Sequence, residues 1–425
     1  MRDWIRLNWR ELLVRIALIF FCFSLWPKGL VYWGIGLLVL AWIVDNGLSR
    51  FAELLKEPLI QGVLVFCGAW VIGLLWGDFP IDFSGKWRKY FILLTIIPFF
   101  SLLNKERLLW AAGALISSYL GMVALGGYQC LVQEEQGVPW LGMSYLGYSA
   151  VLGLGVLVAV YGGWIASSRA QRAVAILLWV FALALLFLQF NERARGVLLA
   201  TLVTLLLIFC WYYRIKGRLL LGSVATIAVV TTLFAATSDV FHERLEDVSS
   251  DLQLSQQGNY HTSVGYRLAM WDVGLHGIAE RPLLGYGTGM AKQYFEDSIV
   301  TYKQGIYKEL PKFMETKHFH NELIEIAMHL GLLGVAAFIF LLWSWFRTFK
   351  QHQMGLLGST IICFVFLCGM TDTFLLYSRI PPFLLIMTVV AISWQRYQGN
   401  LTFVSRGSAP IGSTHKNTDV LFDTP

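Results

Sequence analysis

Apolar residues in this chain fall into long, nearly unbroken runs rather than into the alternation of a half-buried strand or the one-sided spacing of a surface helix. Twelve such runs stand at about 11–27, 30–46, 59–76, 89–104, 107–128, 144–166, 171–190, 196–213, 218–236, 322–346, 354–377 and 380–396. About 20 mostly apolar residues in a helix cross the hydrocarbon of a bilayer. A helix is favoured there because its backbone groups satisfy one another without water. The pattern predicts an all-α integral membrane protein of about twelve transmembrane helices. The run at 89–104 is the shortest, and Pro381-Pro382 marks the junction before the last. Trp26, Trp76, Trp87, Tyr212, Tyr213, Trp345 and Trp394 lie near run ends, where interfacial aromatics belong. No internal repeat is visible. The chain thus divides into spans one to nine over 1–236, a polar segment over 237–321, spans ten to twelve over 322–397, and a polar tail over 398–425 whose composition predicts disorder.

Composition agrees with the pattern. Only 14% of the 425 residues are charged and 56% are hydrophobic, whereas a soluble domain carries about 25% charge. The six cysteines, Cys22, Cys67, Cys130, Cys210, Cys363 and Cys368, show neither metal-ligand spacing nor a disulfide framework. They read as small buried hydrophobes. The first apolar run lacks a small-residue cleavage site and is expected to remain as the first helix. The net charge of +6 matters less than where the charges stand. With cytoplasmic termini, one set of short loops and ends holds 18 Lys and Arg and the opposite set holds 7. The positive-inside rule therefore places both termini in the cytoplasm and the segment 237–321 outside.

The outer cations are the exceptions to that bias. Lys86, Arg88 and Lys89, then Arg193 and Arg195, then Arg379 each sit at the outer end of a helix. They fit a shared anionic ligand, although interfacial snorkelling would also hold single cations there. The long outer segment opens with the polar stretch 242–258. From 261 onward, Leu268, Trp271, Leu275 and Ile278 are spaced as one face of an amphipathic helix. Thr262 or Ser263 would cap it, and Pro282 and Gly285 would end it. Arg267 then lies in or near the first turn, where free N–H groups and a guanidinium make a phosphate site. A solvated surface arginine is the plain alternative. Pro282–Gly289 is glycine-rich but follows a helix rather than a strand, so it reads as a turn and not a nucleotide-phosphate loop.

At the end of the segment, Asn321 is placed to cap the next helix, and Glu322 and Glu325 to complement its dipole. His318 and His320 stand just before that helix, where an imidazole can act as general base or proton carrier. A metal would need a third and a fourth ligand, and the histidine pair has no partner motif, so no metal is expected. Asp372, near the outer end of the eleventh run, is either functional or paired with an arginine, Arg379 lying seven residues on. No Walker motif or Asp-x-Asp pair is present. Neither a cofactor nor a nucleic-acid partner is expected.

Ala194-Arg195-Gly196, the Gly265–Trp271 segment with Arg267, the Pro282–Gly287 segment, the His318–Glu325 segment followed by Gly331-Leu332-Leu333-Gly334, and Tyr377-Ser378-Arg379-Ile380-Pro381 form an ordered set, mainly within 190–385. Together they resemble the O-antigen ligase family (WaaL), within the wider group that includes O-antigen polymerases and protein O-oligosaccharyltransferases. The resemblance implies a GT-C-like membrane fold and a polysaccharide donor carried on undecaprenyl pyrophosphate. It implies a sugar hydroxyl of the lipid A–core as acceptor, and metal-independent, inverting transfer at the periplasmic face of the bacterial inner membrane. Arg195 and Arg267 match the pyrophosphate-holding arginines, with Arg193 able to replace Arg195 in that role. His320 matches the functional histidine and His318 stands second. Arg88 or Lys89 matches a basic residue after the third span. Asn321, Asp372 and Arg379 complete the candidate substrate-binding set.

The chemistry is consistent with these residue types. Without a divalent cation, guanidinium groups must stabilise the charge growing on a pyrophosphate leaving group. A polymerase or protein O-oligosaccharyltransferase would use the same donor site, but such oligosaccharyltransferases usually carry a larger C-terminal outer domain. A transporter or lipid flippase would use the cations as an anion vestibule. The long outer segment and the lack of unwound helices in matched halves speak against that.

The topology is open to direct test. In a cysteine-free background, Gln257→Cys is expected to react with a membrane-impermeant thiol reagent from outside, and Ser168→Cys only after permeabilisation. The reverse pattern would put the arginines on the cytoplasmic side and overturn the site.

Overall fold

The computed structural model describes residues 2–77, 85–213, 217–237, 239–310 and 318–407. Among them the regular elements are all helical, and the β pairing is confined to one isolated bridge between Val138 and Met143. Among the described residues, four helices are each long and apolar enough to cross a membrane: Lys105–Val132, Tyr145–Ser168, Arg172–Phe190 and Glu322–Gln351. Leu30–Val44 and Gly47–Leu54 pass that test together but bend by 84° between them. Shorter apolar helices cover Pro58–Ile72, Arg195–Trp211, Val224–Thr237 and Gly355–Thr371. The Arg172–Phe190 helix leaves Ile176, Leu177, Val180 and Leu183 exposed. Water disfavours so continuous an apolar surface, and lipid does not.

Small residues set the closest helix contacts, as is usual between helices in lipid. The Pro58–Ile72 helix packs along Glu322–Gln351, with Gly62 against the backbone of Leu341 and the side chain of Ser344. Tyr145–Ser168 packs along Arg172–Phe190. At one end of the bundle, buried Arg107 joins three helices through Glu11 at 2.6 Å and Asp45 at 2.9 Å.

A second, smaller core is built from the polar segment. Asp239–Gln256, Ser263–Glu280 and Ala291–Thr301 are helices. Ala269, Met270, Val273, Tyr286, Met290, Phe295, Phe319 and Met328 are buried together there. The buried face of the Ser263–Glu280 helix differs from the one its spacing predicts. Leu268 and Leu275 are exposed, and Gly265, Ala269, Met270, Val273, Gly274 and Gly277 face inward. The reason is steric. Gly274 and Gly277 admit Phe319, Ile324, Tyr294 and Met328 at distances that a side chain would block. Hydrophobic spacing ranks residues by size, and here the smallest ones govern the approach.

Three further expectations change. The 89–104 run is not one regular helix: it is a 3-10 stretch, Lys86–Thr95, followed by Ile96–Leu102, and the latter is buried throughout. The helix formed by the eleventh apolar run, Gly355–Thr371, ends at Thr371, so Asp372 lies just past a helix end. The last helix runs Ile380–Gly407, beyond the point where the tail was expected to begin. Residues 408–425 of that tail lie outside the described residues.

The Glu322–Gln351 helix is broken at Gly331, whose φ of 60° and ψ of −150° are not helical. In a regular helix Leu332 and Leu333 would donate to Met328 and His329. Instead, Leu332 donates to Pro282 O at 2.8 Å and Leu333 to Leu283 O at 3.3 Å. The carbonyls of Met328 and His329 accept from Tyr286 at 3.0 Å and Gly287 at 2.8 Å. The Pro282–Gly287 loop thus takes up four backbone groups that a regular helix would pair with one another. It is a turn, as expected, and its backbone is the mate of the Gly331 break. Thr288 continues the loop onto the end of the Pro58–Ile72 helix, donating to Gly73 O at 2.8 Å.

Gly331 has a conformation nearly reserved for glycine, and an added Cβ would collide with the Leu283 backbone. Gly331→Val is therefore expected to cost at least about 1–3 kcal/mol, read as lost folded yield and a lowered thermal midpoint in detergent. Gly121→Ala, in a helix with open space around it, should leave both unchanged. A Gly331→Val protein as stable as wild type would show that the loop is not what completes the helix.

Candidate active site

The His318–Asn321 segment is built to hold two imidazoles in fixed positions. Asn321 caps the following helix, its side chain accepting from Leu323 and Ile324 at 3.0 and 3.2 Å and donating to Met370 O at 3.0 Å. Glu325 does more than complement the dipole: its carboxylate accepts the Phe319 N–H at 2.8 Å. Phe319 O accepts from the Trp271 indole at 3.0 Å. The Phe319 ring is fully buried. His320 then takes a left-handed backbone with φ of 50°, uncommon for a residue with a side chain.

His320 Nδ1 lies 3.0 Å from Asp372 Oδ1. Asp372 also accepts from the Thr373 N–H at 2.8 Å and from the Tyr377 hydroxyl at 2.7 Å. Burial would raise the Asp372 carboxyl, but the hydrogen bonds from His320 and Tyr377 outweigh it and hold the group low. With the carboxylate ionised, Nδ1 of neutral His320 carries the proton and Nε2 keeps its lone pair. Asp372 therefore partners His320 and Tyr377, and the arginine pairing considered from sequence gives way. Arg379 donates instead to Leu141 O at 2.9 Å.

His318 packs edge-on against His320, with ring centroids 4.1 Å apart. Its Nε2 lies 3.2 Å from Lys86 Nζ and 3.7 Å from Asp372 Oδ1. Burial, reinforced by the Lys86 ammonium beside it, depresses its pKa to about 3, so His318 is neutral at physiological pH. His318, His320 and Asp372 place three ligand atoms within 4.8 Å of one another, an arrangement able to hold a cation. Sequence spacing did not disclose Asp372 as a third ligand. Against a metal, the Lys86 ammonium faces His318 Nε2, and Asp372 already accepts from three protein groups.

Glu322 ties the histidine segment to two others. It accepts from the Tyr90 hydroxyl at 2.5 Å and the Leu375 N–H at 2.8 Å, and Tyr90 stacks on Trp70 at 4.6 Å. Tyr90 belongs to the 3-10 stretch that carries Lys86, Arg88 and Lys89. Those three cations line one part of a cavity of about 880 Å³ whose remaining wall is largely apolar, including Ile35, Val39, Phe91, Ile92, Leu94 and Ile97. Lys86 joins this cavity to the His318 imidazole.

Arg267 is half-buried on the Ser263–Glu280 helix, which Thr262 caps through the Gly265 N–H at 3.0 Å. Its charge acts on the Tyr377 phenol, which bonds Asp372. Arg195 opens the Arg195–Tyr213 helix and is half-buried. The next residue, Gly196, lies against the Thr371 side chain, directly before Asp372. Arg193 is exposed and 3.8 Å from Glu243. Between Phe190 and Arg195, buried Glu192 accepts the Gly137 N–H at 2.9 Å, and burial pushes its pKa up to about 8. It pins the turn that carries both arginines. Sequence reasoning assigned no role to Tyr377, Tyr90 or Glu192 and counted Lys86 only as an outer cation.

The O-Antigen ligase family model (Wzy_C) matches residues 180–339. The chain is 23% identical over 206 residues to an O-antigen ligase of Escherichia coli K12, covering 48% of each protein. It is 29% identical over 113 residues to a putative polysaccharide ligase of Rickettsia bellii, covering 25% of each, and 26% identical over 173 residues to an uncharacterised protein of Haemophilus influenzae, covering 40% of each. The matched stretches thus span about half or less of these relatives' lengths. The family match runs from the turn of Arg193 and Arg195 through Arg267 to the histidine segment and the Gly331 break, and over this stretch the chain is similar to the O-antigen ligase family.

Proposed function

We propose that this protein is an O-antigen ligase of the bacterial inner membrane, with twelve spans, both termini cytoplasmic, and its site on the periplasmic side in the 237–321 segment. It transfers polysaccharide from undecaprenyl pyrophosphate to a sugar hydroxyl of the lipid A–core, without a metal and with inversion. The observation that carries this reading is one of contiguity. A largely apolar cavity with three cations meets, through Lys86, a buried His318–His320–Asp372 cluster. A lipid-linked anionic donor needs the first part and a hydroxyl acceptor needs the second.

Arg195 and Arg267 hold the pyrophosphate, with Arg193, Arg88, Lys89 and Arg379 contributing charge around it. His320 Nε2 takes the proton from the acceptor hydroxyl as its oxygen bonds to the anomeric carbon. The bond from that carbon to the pyrophosphate oxygen breaks, and its electron pair leaves on the pyrophosphate. Asp372 fixes the imidazole and stabilises its charged form, the part an aspartate plays beside other catalytic histidines. His318 and Asn321 border the acceptor side. Both substrates are lipid-anchored, so the enzyme needs only to align two head groups at one interface.

Arg195→Lys and Arg267→Lys keep the charge but lose the planar fork. Each is expected to lower transfer about 10²- to 10³-fold, corresponding to ~2–4 kcal/mol of transition-state stabilisation. Near-normal transfer by both at equal expression would reject the donor site.

His320→Ala should bind undecaprenyl pyrophosphate and transfer almost no glycan. His318→Ala should be hurt less, and EDTA should leave the wild type active. Inhibition by EDTA that added metal reverses would overturn the metal-free mechanism. In cells, deletion should leave polymerised glycan on its lipid carrier and the lipid A–core uncapped. Accumulation of single repeats would point to a polymerase.

A further inference from the structure

Phe319 stands between the two histidines, and both of its backbone polar groups are committed. Its N–H goes to the Glu325 carboxylate at 2.8 Å and its carbonyl to the Trp271 indole N–H at 3.0 Å. Its ring is fully buried against Gly274 of the Ser263–Glu280 helix and meets Phe295 edge-on at 6.2 Å. These restraints fix the peptide planes on either side of Phe319. The next residue, His320, has φ of 50°, a conformation that persists only where the surroundings impose it.

Trp271 lies one helical turn after Arg267 on the same helix. Glu325 lies one turn into the helix that Asn321 caps, and His329 Nε2 stands 3.5 Å from its other oxygen. His329 Nδ1 in turn accepts the Gly289 N–H at 3.1 Å. The two bonds on Phe319 therefore come from opposite sides. One comes from the helix carrying the donor-side arginine, the other from the broken helix and the loop that completes it.

We propose that Trp271 and Glu325 are positioning residues, which clamp the Phe319 backbone and thereby aim the His320 imidazole at the acceptor hydroxyl while coupling it to the Arg267 helix. This rests on the reading of His320 as the base. Neither residue touches substrate. Their effect reaches the reaction through the angle at which His320 meets Asp372 on one side and the hydroxyl on the other. A misplacement of about 1 Å at a reacting group can cost on the order of a hundredfold in rate.

Three variants separate this from a purely structural role. Trp271→Phe keeps an aromatic ring and removes the N–H. Glu325→Met removes the acceptor at similar length. Glu325→Gln keeps an oxygen able to accept from Phe319. With purified protein, lipid-linked donor and lipid A–core, Trp271→Phe and Glu325→Met are expected to lose about 10- to 100-fold in kcat, and Glu325→Gln to keep most of it. Undecaprenyl pyrophosphate should bind all three with wild-type Kd.

In a His320→Ala background, Trp271→Phe should cost the residual rate nothing further, because the two changes act through one group. The clamp is overturned if Trp271→Phe and Glu325→Met turn over normally. It is also overturned if donor Kd worsens in step with kcat, or if the Trp271→Phe loss adds in full to that of His320→Ala. A His320→Ala protein that transfers normally would sink the base assignment and this inference with it. An inactive His320→Ala beside a normal Trp271→Phe would sink the clamp alone.

Discussion

Backbone amides and carbonyls surrounded by apolar groups must find partners within the protein, and the broken Glu322–Gln351 helix shows what that constraint organises. At the Gly331 break, the N–H groups of Leu332 and Leu333 and the carbonyls of Met328 and His329 leave their helical partners. All four are taken up by the Pro282–Gly287 loop. The exchange brings the polar segment 237–321 onto the bundle at a defined register. It places His329 against Gly289 and near Glu325, and Glu325 against Phe319. The histidine segment is therefore held from below by the same residues that complete the break. Two glycines at positive φ, Gly285 and Gly331, lie back to back where any side chain would collide. The glycine-rich motifs of the second half are in this sense two sides of one joint.

Much of the helical order was legible in the sequence because apolar run length is a strong signal. The caps at Thr262 and Asn321 were legible for a local reason, each bonding within three residues of itself. The Ser263–Glu280 helix was placed correctly, and its buried face was not. Its packing is decided by glycines that hydrophobic spacing ignores. The 89–104 run was misjudged as a regular helix because apolar content alone does not distinguish a 3-10 stretch from an α-helix.

The members of the candidate site could be proposed by residue type but not by partnership. His318, His320 and Asp372 could be named, yet Asp372 lies 52 residues from His320, and one sequence without an alignment gives no long-range pairing. Its nearest basic neighbour along the chain, Arg379, was the natural partner to propose. The fold turns Arg379 to Leu141 instead. Tyr90 and Glu192 were invisible for the opposite reason: a tyrosine in an apolar run and a glutamate in a turn have ordinary readings, and only burial reveals the bonds they make.

On the proposed mechanism the site must satisfy two opposed electrostatic demands. A pyrophosphate leaving group calls for several fixed cations, yet each cation near the base opposes the imidazolium that forms when His320 takes a proton. The arrangement meets both demands by interposition. His318, neutral and buried, stands between the Lys86 ammonium and the Asp372 carboxylate. Asp372 supplies the negative charge on the far side of His320, and Thr373 and Tyr377 keep that charge in place. Arginine suits the donor side because it never gives up its proton. Histidine suits the acceptor side because it must accept one and then release it. Separating these roles by a neutral imidazole lets cations and base share one site without the first disabling the second.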